Sequence, residues 1–190
     1  MSVFNALVSP AGLAATVAAA GCMQAALGTF LVSRFRWQEK RVDRSVPMPP
    51  VSVLKPLHGD EPLLEEALES FCTQDYPHMQ IVFGVQDEND AAIPIVRRLM
   101  ERHPDVPMKL VIDPTFHGVN RKIGNLINIM TCVEHDVLVI SDSDIHVAPD
   151  YLRHVVGALV PPDVGLVTTL YAGLPASSSV PRLLAACQIN

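Results

Sequence analysis

The segment 137–144 constrains the fold of this chain most strongly, because it joins an apolar run to two closely spaced acids. Residues 137–140 read Val-Leu-Val-Ile, and the lack of polar alternation predicts a strand buried on both faces, as in a parallel sheet. Asp142 and Asp144 follow directly. In open α/β sheets the carboxyl ends of the strands border the ligand crevice. The segment therefore predicts an α/β fold with two carboxylates in its crevice.

These two aspartates have the spacing and the chemistry of a site for a divalent metal. Side chains alternate along an extended segment, so Asp142 and Asp144 can point the same way. Magnesium is usually bound by one or two protein carboxylates together with substrate phosphates. We therefore predict a divalent metal, Mn²⁺ or Mg²⁺, held by both residues on a diphosphate. The alternative is that Asp142 or Ser143 only caps a helix.

The remainder of the chain beyond residue 50 alternates between strand and helix patterns. Strands are predicted at 51–54, 80–85, 108–112 and 164–170, and helices begin near 64, 94, 121 and 149. This order indicates right-handed βαβ units, that is, a mainly parallel sheet with helices on both faces. It is a nucleotide-binding type of architecture. The chain has no Gly-x-Gly-x-x-Gly and no Gly-Lys-Thr loop, so dinucleotide cofactors and P-loop chemistry lack support.

Helical periodicity predicts which side of each helix faces the sheet. The helix near 64 is expected to bury Leu64, Ala67, Leu68 and Phe71. The helix predicted over 121–134 is expected to bury Ile123, Leu126, Ile127 and Met130, and to place Arg121, Asn125 and Asn128 on another face. Arg121 is expected at the surface.

The first 33 residues carry no charged side chain, and 11–33 is an apolar run. A helix of that length, rising about 1.5 Å per residue, reaches across a hydrocarbon core of about 30 Å. We predict an N-terminal segment over 1–10 and one transmembrane helix over 11–33. A secretory signal would have a basic start and a shorter core, and the run continues well past Cys22, unlike a lipoprotein signal. A buried core helix is the other alternative, but this one is apolar around its circumference.

A basic, proline-rich stretch over 34–50 follows, and we interpret it as a juxtamembrane linker. By the positive-inside rule it places the domain over 51–190 in the cytoplasm, as part of a single-pass membrane protein. The net charge of −6 and the pI of about 5.6 argue against nucleic acid as a partner, because binding to phosphate backbones requires a basic surface.

Polar loops after the predicted parallel strands, at 55–59, 86–90, 116–122 and 142–144, should meet along one edge of the sheet. Asp87 and Asp90 can accept hydrogen bonds from a base or a ribose, although a solvated acidic turn explains either one alone. Lys122 lies near a helix N-terminus, where its charge and the backbone amides can bind phosphate. A lone helical lysine is otherwise a surface residue.

Five ordered motifs resemble the ceramide glucosyltransferase-like branch of the family 2 glycosyltransferases, which includes bacterial hopanoid-biosynthesis glycosyltransferases. The motifs are Val53-Leu54-Lys55-Pro56-Leu57-x-Gly59, Gln74-Asp75-Tyr76-Pro77, Val85-Gln86-Asp87-x-x-Asp90, Gly118-x-Asn120-x-Lys122-x-x-Asn125-Leu126 and Ser141-Asp142-Ser143-Asp144. They run in order from about residue 51 to the end of the chain, and the preceding transmembrane helix also fits.

The resemblance implies a GT-A fold, a UDP-sugar donor, a divalent metal and a lipid hydroxyl acceptor at the membrane. By position, Asp87 would contact the uracil or the ribose, and Asp142 and Asp144 would fill the Asp-x-Asp place of the family. Lys55, Pro56 and Asn125 belong to matching motifs, so the same resemblance implies that they bind the donor, with Asp90 and Lys122. The expected reaction is an inverting sugar transfer to a ceramide- or hopanoid-type lipid.

One departure from the family concerns the catalytic residues. Members continue well beyond this length, with a later acidic general base and a Gln/Arg-x-x-Arg-Trp motif. The single tryptophan here is Trp37, before the domain. No catalytic residue is therefore identified, and the general base is expected beyond residue 190. Two alternatives stay open: a non-catalytic, membrane-tethered nucleotide-sugar-binding fragment, and a sugar-phosphate nucleotidyltransferase, for which 55–59 is a poor substitute for the usual glycine-rich basic loop.

Overall fold

A computed structural model describes residues 9–37, 48–171 and 173 of the chain. The chain forms two compact units, residues 1–43 and 44–190, and each is described by itself. Residues 1–8, most of the predicted linker (38–47) and the segment 174–190 lie outside the described residues.

The first unit contains one long helix, α1, over Pro10–Trp37. The predicted helix over 11–33 is thus present and extends a few residues further. Side chains from 13 to 34 are exposed all around it, which is expected of a helix without a polar face. By length and composition, α1 is the one helix of the described residues that can cross a membrane.

The second unit alternates strands and helices as the sequence predicts. Its strands are β1 (Val51–Pro56), β2 (Met79–Val85), β3 (Met108–Ile112) and β4 (Val137–Ile140). Its helices are α2 (Leu64–Cys72), α3 (Ala92–Arg102), α4 (Arg121–Met130) and α5 (Tyr151–Leu159).

The four strands form a parallel sheet in the order β3-β2-β1-β4. The chain proceeds from β1 outward to β2 and β3, and then returns to the other side of β1 with β4. The strand order therefore reverses between β1 and β4. A reversal of this kind opens a crevice at the carboxyl ends of the strands, which is where open α/β sheets bind their ligands.

One face of the sheet, here called the first face, is covered by α2, α3 and α5. Its core is a single large apolar cluster that includes Leu64, Leu68 and Phe71 of α2, and the fourth residue predicted to face inward, Ala67, is also fully buried. From α5, Leu152 and Val156 join the same cluster. The predicted inward stripe of α2 is confirmed.

The opposite face, here called the second face, is covered by α4, which packs on β1 and β2. The prediction for α4 is wrong in orientation. Ile123, Ile127 and Met130 are 49%, 44% and 45% exposed, whereas Asn125 and Asn128 are buried. The buried core of this face is small, with Leu54, Val82 and Ile129 at its centre. The prediction that 137–140 is buried on both faces is wrong, because α4 packs on β1 and β2 and leaves Leu138 and Ile140 of β4 36% and 55% exposed.

The two asparagines are buried because backbone groups beneath α4 need hydrogen-bond partners. Asn125 Nδ2 donates to the carbonyl of Gly84 at 2.8 Å. Asn128 Nδ2 donates to the carbonyl of Asp113 at 2.9 Å. An apolar side chain at position 128 would remove the bond to the carbonyl of Asp113, and one at position 125 would remove the second bond to Gly84, whose carbonyl also accepts from the amide of Leu57 at 2.8 Å. These hydrogen bonds outweigh the hydrophobic periodicity that the prediction used.

Helix α4 also ends earlier than the predicted residue 134. Gln80, buried on β2, binds the chain just beyond the helix: its Nε2 donates to the carbonyl of Cys132 at 2.9 Å, and its Oε1 accepts from the amide of Glu134 at 3.2 Å. These bonds occupy backbone groups that a continuing helix would use. The chain therefore turns toward β4 after Met130.

The strand predicted over 164–170 is absent from the described residues. Leu166 and Leu170 are largely exposed, and the one backbone bond recorded at its start joins the amide of Val164 to the carbonyl of Pro161. The apolar, β-branched composition favours an extended strand, but a strand is stable only beside a hydrogen-bonded neighbour. No described strand pairs with this segment.

Candidate functional site

A cleft of about 920 Å³ opens at the carboxyl ends of the strands, on both sides of the point where the strand order reverses. Its walls come from every βα loop of the sheet and from the start of α4, namely residues 56–58, 61, 86–88, 112, 114, 121, 122, 125 and 142–144. The convergence of loops predicted from the alternating pattern is therefore present in the fold.

The predicted site residues fall into two groups. Pro56, Asp87, Lys122, Asn125, Asp142 and Asp144 line the cleft. Lys55 and Asp90 do not belong to its lining, because both side chains are buried beneath it and make hydrogen bonds within the protein.

Asp90 stabilises the loop that follows β1. Its carboxylate accepts hydrogen bonds from the amide of Gly59 at 3.0 and 3.1 Å and from the amide of Ala92 at 2.9 Å. The imidazole Nδ1 of His58 lies 3.5 Å from the same carboxylate. Gly59 has φ +73°, a conformation that glycine adopts without strain. Asp90 thus joins the start of α3 to a tight turn at Gly59. The residue before this glycine, His58, lines the cleft.

Lys55 is fully buried on the first face, behind the two aspartates. Its Nζ donates to the carbonyl of Asp142 at 2.6 Å and to Ser141 Oγ at 3.2 Å, and it lies 3.9 Å from the centre of the Phe71 ring. Burial lowers the pKa of this lysine to about 7, although the carboxylates of Asp144 and Asp142 oppose the shift.

On the cleft side, the carboxylate of Asp142 forms an ion pair with the ammonium of Lys122. Both side chains are about half exposed, so the pair is in contact with water and contributes little to stability. Lys122 comes from the first turn of α4, and Asp142 comes from the loop after β4. The pair therefore closes one end of the cleft with groups that a ligand can separate.

The donor atoms at this end of the cleft fit a hard divalent cation. Asp142 and Asp144 supply carboxylate oxygens, and no group of three His, Cys, Asp or Glu side chains within the described part of the chain gathers as a complete metal cage. A pair of carboxylates needs further oxygens from a ligand, which is how Mg²⁺ is commonly bound beside phosphates. Lys122 would have to release Asp142 for the metal to bind both.

Several residues that line the cleft were not predicted as site residues. Ser143 Oγ donates to Glu61 Oε2 at 2.5 Å, so the residue between the two aspartates connects the β4 loop to the segment before α2. Gln86 and Arg121 also face the cleft. A signal for Gln86 was available, because it directly follows a predicted strand. No sequence pattern placed Glu61 in the cleft, since only the folded chain brings it close to Ser143.

Asn125 places α4 against the sheet. Besides its bond to Gly84, its Nδ2 lies 3.4 Å from the carbonyl of Leu57, at the floor of the cleft. Its Oδ1 is buried without a hydrogen-bond partner among the described residues, and it lies over the α carbon of Gly84, where a Cβ atom would overlap both Asn125 and Ile129. Glycine at position 84 therefore permits the close approach of α4 to β2.

The family assignment follows from comparison with known proteins. The family model described as glycosyl transferase family 21 matches residues 13–190, which is most of the chain. The chain belongs to glycosyl transferase family 21. The motif resemblance to ceramide glucosyltransferases is thereby confirmed, whereas the hopanoid part of that prediction stays a prediction.

Curated relatives of this family 21 chain include ceramide glucosyltransferases. Ceramide glucosyltransferase 1 of Caenorhabditis elegans is 34% identical over 121 residues, covering 64% of this chain and 26% of the relative. The ceramide glucosyltransferase of Komagataella phaffii is 32% identical, covering 61% of this chain and 24% of the relative. Beta-monoglucosyldiacylglycerol synthase of Nostoc is 26% identical, covering 75% of this chain and 30% of the relative. The matched part spans about a quarter of the length of these relatives.

A solved structure shares the fold. It is the mannosyltransferase PcManGT from Pyrobaculum calidifontis in complex with GDP-Man and Mn²⁺, with a TM-score of 0.57 and 28% identity, covering 78% of this chain and 44% of that protein. Together with the parallel sheet and its helices, this likeness confirms the predicted GT-A fold. The bound Mn²⁺ belongs to that protein and is consistent with a divalent metal in this family 21 chain.

Proposed function

We propose that this chain is the donor-binding part of a membrane-anchored glycosyltransferase that takes a sugar from UDP-sugar and transfers it to a lipid hydroxyl. The observation that supports this most directly is the cleft at the strand-order reversal, where Asp142 and Asp144 lie beside Lys122. Two acids and one exchangeable cation are the groups required to bind a metal and a diphosphate together.

Each side of the cleft has a separate role in this proposal. Asp87, on the β2 loop, accepts hydrogen bonds from the uracil or the ribose. Asp142 and Asp144 hold the metal, which when bound neutralises charge on the departing diphosphate. Lys122 moves from Asp142 to a phosphate oxygen, where the N-terminus of α4 adds its backbone amides and dipole.

The acceptor hydroxyl then displaces the nucleotide with inversion at the sugar carbon. This step needs a general base, and we assign none among residues 9–37, 48–171 and 173. Donor binding is therefore the activity expected of this chain by itself. Transfer is proposed for the protein that includes the remaining length seen in its relatives.

Two features support a lipid acceptor at a membrane. The names of the relatives refer to ceramide and to a glucosylated diacylglycerol, and α1 is long and apolar enough to span a bilayer. We propose that α1 anchors the chain and that the cleft domain lies on the cytoplasmic side, because the residues after the helix are basic. In this proposal, the choice among ceramide-type, hopanoid-type and diacylglycerol-type acceptors is made by residues outside this cleft.

Calorimetric titration of the full chain in detergent micelles tests donor binding. The ligands are UDP, UDP-glucose, UDP-N-acetylglucosamine and GDP-mannose, each with Mn²⁺, with Mg²⁺ and with EDTA. We expect UDP-sugars to bind in the presence of metal, with a loss of at least about tenfold in EDTA, because two carboxylates and a diphosphate share the ion.

The matched control separates the site from the overall charge. Asp142→Asn/Asp144→Asn should abolish the metal dependence, whereas Asp105→Asn/Asp163→Asn removes the same charge from exposed positions outside the cleft and should leave it intact. Preference for GDP-mannose would correct the nucleotide, and indifference to every nucleotide and metal would overturn the proposal. Metal-dependent binding without transfer by the longer protein would support the non-catalytic alternative.

A further inference from the structure

The ammonium of Lys55 lies in a place where packing alone would favour an apolar side chain. Lys55 is the fifth residue of β1, and it is 0% exposed among the apolar residues of the first face. Burying an ammonium is costly unless hydrogen bonds compensate for the lost water. Hydrophobic packing therefore gives no reason for a lysine at this position, and the reason must lie in the groups that its Nζ contacts.

Within the part of the chain that the structure describes, the hydrogen bonds of Lys55 Nζ go to one short segment, the chain that leaves β4. The backbone ladder between β1 and this segment ends with the amide of Ser141 donating to the carbonyl of Leu54 at 3.2 Å. Directly beyond, Lys55 Nζ donates to the carbonyl of Asp142 at 2.6 Å and to Ser141 Oγ at 3.2 Å. The side chain thus continues the connection after the strand pairing has ended.

The ring of Phe71 completes the surroundings of the ammonium. Its centre lies 3.9 Å from Nζ, within the range of a cation–π contact, and Phe71 itself is fully buried in α2. Lysine has three donor hydrogens, and the two oxygens and the ring occupy the directions around the nitrogen. The side chain is therefore held by the core on one side and by the metal-site loop on the other.

We propose that Lys55 is a positioning residue for the donor site, which fixes the backbone of Asp142 so that the carboxylates of Asp142 and Asp144 face the cleft. This inference rests on the proposed function, because it assumes that the two acids bind a metal and a donor. Lys55 does not line the cleft and does not touch the donor. It acts on the donor only through the loop that carries the acids.

The two lysines near Asp142 therefore have different roles. Lys122 pairs with the carboxylate from the solvent side and is about half exposed, so a ligand can displace it. Lys55 binds the backbone carbonyl from the core side and is out of reach of a ligand. One lysine exchanges when the donor enters, and the other holds the loop in the same place before and after.

Substitution of Lys55→Met tests this role, because methionine keeps the length and the unbranched shape but loses the donor hydrogens. The matched control is Lys109→Met, which removes a lysine from β3, two strands away from β1, where it pairs with Glu134 away from the cleft. Titration of the full chain with UDP-glucose, in Mn²⁺ and in EDTA, gives the donor affinity. Thermal unfolding by circular dichroism establishes that each variant is folded.

We expect Lys55→Met to lower donor affinity about tenfold or more in Mn²⁺ and to raise the Mn²⁺ concentration needed for half-maximal donor binding. Affinity in EDTA should stay within about twofold of the wild type, because contacts to the base and ribose do not involve the acid pair. Lys109→Met should match the wild type in both media. Lys55→Gln, which keeps an N–H donor group, should fall between the wild type and Lys55→Met. It replaces Lys55→Met if that variant does not unfold cooperatively.

Three outcomes would overturn the inference, and they can be told apart. A folded Lys55→Met with wild-type metal dependence shows that the loop is positioned without the lysine. An equal loss of affinity in Mn²⁺ and in EDTA shows a general structural role. A wild-type chain that binds no donor in a metal-dependent way overturns the proposed function, and this inference with it.

Discussion

The two faces of the sheet are built in different ways. The first face has a large, continuous apolar core, in which α2 buries the stripe that helical periodicity predicts and α3 and α5 bury apolar side chains beside it. On the second face α4 turns two asparagines inward and three large apolar side chains outward, and the buried apolar core is small. The first face supplies hydrophobic stability, and the second arranges loops around the cleft. A helix beside a site can thus be selected for its hydrogen bonds rather than for its apolar stripe.

The largest loss in the free energy of unfolding is expected for a substitution on the first face. Leu68→Ala removes a fully buried side chain from the centre of the large cluster. We expect a loss of about 2–5 kcal/mol in the free energy of unfolding, because the transfer term and the cavity term add. Urea unfolding of the full chain, followed by circular dichroism, measures it. A loss below about 1 kcal/mol would show that the first face is not the main source of stability.

A smaller loss is expected for the inward asparagine of the second face. Asn125→Ala leaves the carbonyl of Gly84 without its side-chain partner at 2.8 Å. The carbonyl keeps the hydrogen bond from the amide of Leu57 at 2.8 Å, so the loss is that of one hydrogen bond, about 1 kcal/mol, and should appear in the same urea experiment. Asn125→Leu serves as the comparison, since it would be neutral or stabilising if the sequence-based preference for an apolar inward face were correct.

The buried lysine makes the stability of the domain depend on pH. The pKa of Lys55 is lowered by burial to about 7, while the unfolded chain keeps the ordinary value of 10.5. The unfolded state therefore holds more protons between pH 7 and pH 10.5, so the free energy of unfolding should rise with pH in this window. Relative to Lys55→Met, we expect the wild type to gain about 1–2 kcal/mol between pH 7 and pH 9, measured in EDTA. A parallel pH profile in the two proteins would contradict the shift.

The ion pair between Lys122 and Asp142 predicts that one substitution, Lys122→Met, has opposite effects on metal affinity and on donor affinity. Lys122→Met frees the carboxylate of Asp142, and a half-exposed pair is worth up to about 1 kcal/mol. Without donor, Mn²⁺ should therefore bind roughly two- to fivefold more tightly than to the wild type. UDP-glucose should bind more weakly in the same variant, because a phosphate contact is lost. Calorimetry with metal alone and with donor checks both signs, and a weakening of both would refute the exchange.

The smallest effect is expected on the outer surface of α4. Ile127→Gln changes a side chain that is 44% exposed, so less than about 1 kcal/mol of stability should be lost. The inward stripe predicted from the sequence would instead give a loss of several kcal/mol for the same change. The urea midpoint of this variant thus decides directly between the two orientations of the helix.

Periodicity predicted the elements well where hydrophobic burial decides the structure. The strands at 80–85 and 108–112 and the buried side of α2 follow from apolar patterns, and the meeting of loops follows from parallel topology. The orientation of α4 was not predictable in this way, because its inward residues satisfy carbonyls on other elements. The same applies to Gln80, whose bonds end α4 early.

The candidate site was accessible from the sequence only in part. Acids at strand ends, such as Asp87 and Asp142, could be placed in the cleft from the alternation of elements alone. The burial of Lys55 and the contact between Ser143 and Glu61 depend on packing between distant segments, so no local pattern reveals them. The strand predicted over 164–170 failed for a related reason, since its composition says nothing about whether a pairing neighbour exists.

Gly84 sets the width of the cleft by the side chain that it lacks. Since a methyl group on its α carbon would overlap Asn125 and Ile129, any larger residue would push α4 away from β2. Lys122 lies one turn before Asn125 on that helix, so the displacement would separate it from Asp142 across the entrance. The absence of a side chain at position 84 thus sets how closely the ammonium of Lys122 and the carboxylate of Asp142 approach each other across the cleft.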